Sequence, residues 1–196
     1  METNYIKQLA DSMNFLAGVP KAELRKLLKR KQIIHLKKDH FFLQAGEIPD
    51  HLGYNISGLL RLYYIDVNGK EFTKHFCLEN SVAVAYGPFL RREPSEIYIQ
   101  ALEETKLLVI DRKIYNDLLN GHPCWQTVAK KMAEFIFILG QKRESELLLV
   151  DAQERYLHFL RDYPNLVNRI SQYHIASYLG ITPESLSRIR ANIKES

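Results

Sequence analysis

Three regimes of hydrophobic patterning follow one another along the chain. Residues 1 to 30 read as helical, with Leu24, Leu27 and Leu28 on one stripe and basic side chains opposite. Pro20 stands where a first helical turn tolerates proline. From Ile33 to Ile110 short alternating runs broken by turn residues predict strands. Leu60, Leu62 and Tyr64 share one face of a strand within Gly58 to Val67, and Phe72, Lys74 and Phe76 alternate with Thr73, His75 and Cys77. Between these runs Asn68-Gly69 predicts a type I′ hairpin turn, in which both residues take positive φ. Strands are also expected over Ile97 to Leu102 and Lys106 to Ile110, and many short strands of this kind predict a sandwich or jelly roll.

After Asp111 the period becomes helical. A short helix is predicted over Lys113 to Leu119, ended by Asn120-Gly121, and Pro123 opens a long one. That helix carries Trp125, Val128, Met132, Phe135, Ile136, Leu139 and Leu147 at spacings of three and four. Its run Phe135 to Leu139 is apolar on every side, more than one packing surface requires. A second copy of the same helix is the expected cover, with Trp125, Val128, Met132, Phe135, Ile136 and Leu139 as contacts.

The C-terminal stretch Ser171 to Ile193 divides into two short helices. Ser171 caps the first, Ile175, Ala176 and Leu179 face inward, and Gly180 suits a left-handed C-terminus. Thr182 caps the second, Pro183 opens it, and Leu186, Ile189 and Ile193 form its apolar stripe. Two helices joined through a glycine make a helix-turn-helix. On the outward face of its second helix, Glu184, Ser187 and Arg188 are neighbours by helical spacing. An arginine there can donate twice to guanine, a glutamate can accept from cytosine, and Ser185 or Ser187 can reach a base edge. Ser171, Gln172 and Arg190 are candidate phosphate contacts.

Composition narrows the picture without supplying it. At 196 residues, 46% hydrophobic and 26% charged, the chain suits one β-rich domain plus a small helical one. The expected architecture is α+β: a β jelly roll with N-terminal helices over 1–121, a long dimerisation helix over 122–150, and a helix-turn-helix domain over 151–196. No run approaches the roughly 20 apolar residues that cross a bilayer, and no secretory leader is visible, so a cytoplasmic location is expected. The net charge of +4 leans weakly toward a polyanion. Cys77 and Cys124 are too few for a disulfide framework, a zinc ribbon or a cysteine-held cluster. No metal site and no catalytic constellation is expected, because His35, His40, His51 and His75 are scattered through the roll.

The order of elements resembles that of the cyclic-AMP receptor protein/FNR (Crp/Fnr) regulators. GLLRLYYIDVNGKEFTKHF at 58–76 looks like the family's roll hairpin, and PESLSRI at 183–189 matches its Glu-x-x-Ser-Arg recognition pattern. The resemblance implies a non-enzymatic homodimer that binds double-stranded DNA at an inverted repeat, and that meets RNA polymerase if it activates. It also implies a roll that binds a cyclic nucleotide through a Gly-Glu pair and an Arg-Ser pair. This chain has Val84-Ala85 and Ser95-Glu96 at those places, so cyclic AMP is not expected, and no other cofactor is assigned. Arg91, Arg92, Ser95 and Glu96 are candidate contacts for a different roll ligand of open chemistry, the alternative being a roll that binds none. The chain ends three residues after Ile193, so the β-hairpin wing seen in many members is not expected. The alternative is a ligand-sensing or protein-interaction module without specific DNA binding. The polar outward face at 184–188 weighs against it, since protein-binding helices expose aromatic or aliphatic anchors.

Overall fold

The computed structural model describes residues 2–195, apart from the side chains of residues 2–4, 15, 194 and 195. The chain forms two compact units, one comprising residues 1–62 and 76–135, the other residues 63–75 and 136–196.

The first unit opens with helices α1 (Glu2–Ala17) and α2 (Lys21–Arg30). Strands β1 (Gln32–Leu36), β2 (Phe41–Leu43), β3 (His51–Ser57), β4 (Leu60–Ile65), β5 (Glu71–Cys77) and β6 (Val82–Ala83) follow. A helix α3 (Tyr86–Arg91) precedes β7 (Tyr98–Ala101) and β8 (Thr105–Asp111). Then come α4 (Arg112–Leu119) and the long α5 (Pro123–Leu149). The strands make two four-stranded sheets, ordered β1-β8-β3-β6 and β2-β7-β4-β5. The jelly-roll expectation stands, and α3 is the element that the alternating pattern did not announce.

Register decides which face meets the helices. In the antiparallel β3–β8 pair Leu52 lies opposite Ile110 and Tyr54 opposite Leu108. Because side chains alternate, these four share one face. Tyr54 and Leu108 join Leu9, Leu27, Ile114, Leu118 and Trp125 in one buried cluster. Gly53 and Leu107 occupy the opposite face, where a β-carbon on Gly53 would lie 3.1 Å from the Phe42 ring. The start of α4 follows from sequence: Asp111 accepts a hydrogen bond from the Ile114 amide and so caps the helix.

Gly58 supports a sharp prediction. Its φ is +98°, and an added β-carbon would stand 2.5 Å from both the Glu104 carbonyl oxygen and Thr105 Oγ1. Gly58→Ala therefore combines backbone strain with a clash against main chain, and is expected to cost about 2–4 kcal/mol of stability. Thermal unfolding by circular dichroism checks this, with Gly69→Ala, which faces open space at φ +79°, as the milder comparison.

The second unit contains the tip of the β4–β5 hairpin, the C-terminal part of α5, and helices α6 (Ala152–Asp162), α7 (Gln172–Leu179) and α8 (Pro183–Glu195). The hairpin turn differs from the type I′ expectation. Gly69 takes positive φ but Asn68 does not. Asp66 reorganises the turn instead: its carboxylate accepts from the Asn68 and Lys70 amides at 2.8 and 2.9 Å, an Asx arrangement that a two-residue reading overlooks.

The hairpin tip also packs against helices of this unit. Thr73 donates through its amide and its hydroxyl to Ser177 Oγ on α7, both at 3.0 Å, and Ser177 donates to the Glu71 carbonyl at 2.8 Å. His75 Nδ1 lies 3.3 Å from the Tyr163 hydroxyl. Burial, and then the neighbouring Lys74, pull the His75 pKa down to about 4, so the ring is neutral at pH 7. The folded value lies below the unfolded one, so this stability is complete above pH 6.5 and is lost as pH falls toward 4. A loss of about 3 kcal/mol is expected across that window. The slope should flatten in His75→Gln, as read from urea midpoints at several pH values.

Candidate nucleic-acid interface

The second unit builds its helix-turn-helix from local signals that the packing then completes. Ser171 Oγ accepts from the His174 amide at the start of α7, and Gly180 ends that helix at φ +72°. Thr182 Oγ1 accepts from the Ser185 amide at 3.2 Å and starts α8. Ile175, Ala176, Leu179 and Leu186 are buried, and Ala176 is small enough to let α7 and α8 approach. Arg155 of α6 locks the turn from below by donating to the Leu179 carbonyl at 3.1 Å. Phe159, Tyr163 and Tyr178 stack around one another at 5.3 to 5.9 Å between centroids. Phe159→Ala is expected to cost about 3–5 kcal/mol, since the side chain is fully buried and the aromatic cage cannot collapse onto the void. Guanidinium unfolding of the full chain measures it.

With those faces buried, Glu184, Ser187 and Arg188 stand exposed on α8. The Glu184 carboxyl sits below the ordinary carboxylate range. Its own backbone amide contributes most, Thr182 next, and Arg188 adds a weaker through-space attraction. Glu184 is thus settled over the helix N-terminus, where the dipole also favours an anion. Ser187 Oγ donates to Gln172 Oε1 at 3.5 Å, which ties α8 to the first turn of α7. Ser185 takes another place: it is half-buried, and its hydroxyl pairs with Thr182 Oγ1 at 3.2 Å. Among the phosphate candidates, Ser171 and Gln172 are exposed at the α7 N-terminus and Arg190 is half-buried. Tyr173, 47% exposed beside them, is a surface aromatic that periodicity did not single out.

Along α5 the expected dimer contacts separate into two groups. Trp125 lies in the core of the first unit, and Val128 packs against that core. Phe135, Phe137 and Ile138 are 58%, 69% and 60% exposed, and Ile136 and Leu139 are half-buried. Leu148 and Leu149, at 74% and 81%, extend the apolar surface. Trp125 is held inside because Nε1 donates to Glu23 Oε2 at 3.0 Å, a partner 102 residues away.

The candidate roll ligands are not gathered into a clamp. Arg91 Nε donates to Glu93 Oε2 at 2.6 Å, both side chains being exposed. Arg92 ends α3 in a left-handed conformation and Glu96 is exposed. Ser95 is buried, but its hydroxyl is engaged by the Ile97 amide and carbonyl. Among the described residues the largest fully buried side chain is Arg61 on β4, already engaged by its surroundings, and nothing in the strand pattern marked it. Cys77 is inert, since burial pushes its thiol up to about 12.

Residues 33–122 match the family model of the cyclic nucleotide-binding domain. The solved structures place this domain in a longer common fold. The chain superposes on the c-di-GMP-responsive global regulator CLP of Xanthomonas campestris with TM-score 0.74 at 14% identity, covering 90% of this chain and 92% of that one. FixK2 of Bradyrhizobium japonicum gives TM-score 0.74 at 19% identity, with coverage of 84% and 85%. A transcriptional regulator assigned to the Crp/Fnr family, from Eubacterium rectale, gives 0.72 at 18%, with coverage of 90% and 84%. The chain therefore has the Crp/Fnr fold. No curated protein sequence matches it.

A cyclic nucleotide does not fit the residues at the places that the resemblance assigns to its phosphate. Its phosphate would meet Val84 and Ala85, both buried and uncharged, and Ser95, whose hydroxyl is already satisfied. The nearby Arg91 turns to Glu93 instead, so the charge-assisted clamp that a phosphate requires is missing among these residues. Among the described residues, no helix is long and apolar enough to cross a membrane.

Proposed function

We propose that this protein is a homodimeric, sequence-specific DNA-binding transcription regulator whose roll answers to a signal other than a cyclic nucleotide, or to none. The observation that carries the proposal is the division of α8. Leu186 is fully buried, while Glu184, Ser187 and Arg188 project from the other side as a compact polar set. A helix that exposes an arginine, a serine and a glutamate within one turn suits the donor and acceptor edges of the major groove. The exposed N-terminus of α7 supplies hydroxyl, amide and main-chain donors suited to phosphates.

Two copies joined along the exposed apolar residues of α5 would read an inverted repeat with half-sites about one helical turn apart. In an activator the same dimer would also meet RNA polymerase. The likeness in fold to transcription regulators supports this reading, and the exposed α8 face extends it to this chain's own residues. Selection of bound duplexes from a random pool is the test. An enriched palindrome is the expected result, and a pool that returns no motif removes the assignment.

A further inference from the structure

On the helix-covered face of its first sheet, the roll unit holds a cavity of about 90 Å³. Leu9 and Met13 of α1, Tyr54 of β3, Leu108 of β8, and Trp125 and Met132 of α5 stand in its walls. Among the described residues, no charged side chain lines it. Three lining residues carry a polar tip, and each tip is engaged. The Tyr54 hydroxyl donates to Asn80 Oδ1 at 2.9 Å, the Tyr115 hydroxyl pairs with that of Tyr86 at 3.1 Å, and Trp125 Nε1 donates to Glu23. The walls therefore offer an occupant only carbon and sulfur surface. Water needs two to four polar partners to settle in place, which these walls do not offer, whereas a hydrocarbon guest forfeits no hydrogen bond there. Two of the chain's three methionines, Met13 and Met132, are in the wall. Their unbranched thioethers adapt to the outline of a guest.

We propose that this cavity is a binding site for a small uncharged apolar ligand, separate from the nucleotide cradle around Val84, Ala85 and Ser95. The guest's chemistry is a surface without hydrogen-bonding groups, supplied either by a single aromatic ring or by a short aliphatic chain. One wall is the first part of α5, so an occupant steadies the segment of that helix that packs on the roll.

Trp125 is the chain's only tryptophan and reports directly on the cavity. Bromobenzene and 1-bromohexane are titrated separately into the full-length protein, because bromine quenches indole emission only near contact. At least one arm is expected to show saturable quenching, reversed by benzene or hexane. The arm that saturates identifies the ring or the chain. Ala129→Met places volume in the wall without adding a polar group, and should weaken quenching by about tenfold or more while far-UV circular dichroism is unchanged. Should that variant fail to fold, methyl spectra of wild-type protein labelled at methionine decide: Met13 and Met132 must shift over the concentrations that quench Trp125. Linear quenching in both arms, saturable quenching unchanged in folded Ala129→Met, or quenching without methionine shifts overturns the proposal.

Discussion

Arg188→Ala is expected to weaken binding to the selected duplex by about 1–3 kcal/mol, roughly 5- to 150-fold, and to relax base preference at one symmetric pair of positions. The side chain is exposed on α8, and its attraction to Glu184 is a minor influence on that carboxylate. Its removal should therefore leave the fold alone and act on the interface. Arg188→Lys separates charge from geometry. A lysine keeps the cation but loses the planar fork, so it should recover non-specific binding and salt dependence without recovering base preference. Fluorescence anisotropy against the selected site and single-base variants reads both quantities. Equal affinity and equal preference in wild type and Arg188→Ala would place the reading function on other residues.

Phe137→Glu combined with Ile138→Glu should have the larger effect on DNA binding. These side chains are 69% and 60% exposed on α5, and neither contributes to the cluster that buries Trp125. Adjacent apolar groups left in water at this density are what a second copy of the helix would cover. Two carboxylates placed there would have to be desolvated against their symmetry mates, which opposes association. Wild type is expected to sediment as a dimer and the double variant as a 22.9 kDa monomer. Binding at the inverted repeat should drop by about 10²–10⁴, the gain that linking two half-site contacts ordinarily gives. The Phe159 core and its unfolding midpoint should be unchanged. A wild type that sediments as a monomer at micromolar concentration is incompatible with the dimer reading.

The helix-turn-helix was the most legible part of the chain. Ser171, Gly180 and Thr182 act on amides and carbonyls within three or four residues, so their effect is written locally and can be read locally. The same holds for Asp111 ahead of α4 and for the alternation that marks β4 and β5. The hairpin turn shows where local reading stops short. Asn68-Gly69 satisfies a two-residue template, yet the Asp66 carboxylate reaches two amides and selects another turn. Helix α3 is short, with a proline inside it, and gave no period to detect. Ser185 is a candidate reader by its place on α8, and only the structure shows its hydroxyl pairing with that of Thr182 at the helix start.

Periodicity, capping residues and turn chemistry determined the succession of helices, roll and helix-turn-helix, and they determined that Glu184, Ser187 and Arg188 share one side of α8. These are short-range properties, set by backbone geometry over a few residues. Only the tertiary structure decided that Trp125 turns inward to Glu23 rather than toward a partner helix, that Thr73 reaches Ser177, and that an uncharged cavity lies beneath α1 and α5. Each of these joins residues far apart in the chain, and which distant groups meet depends on how whole layers pack, a quantity that no local pattern encodes.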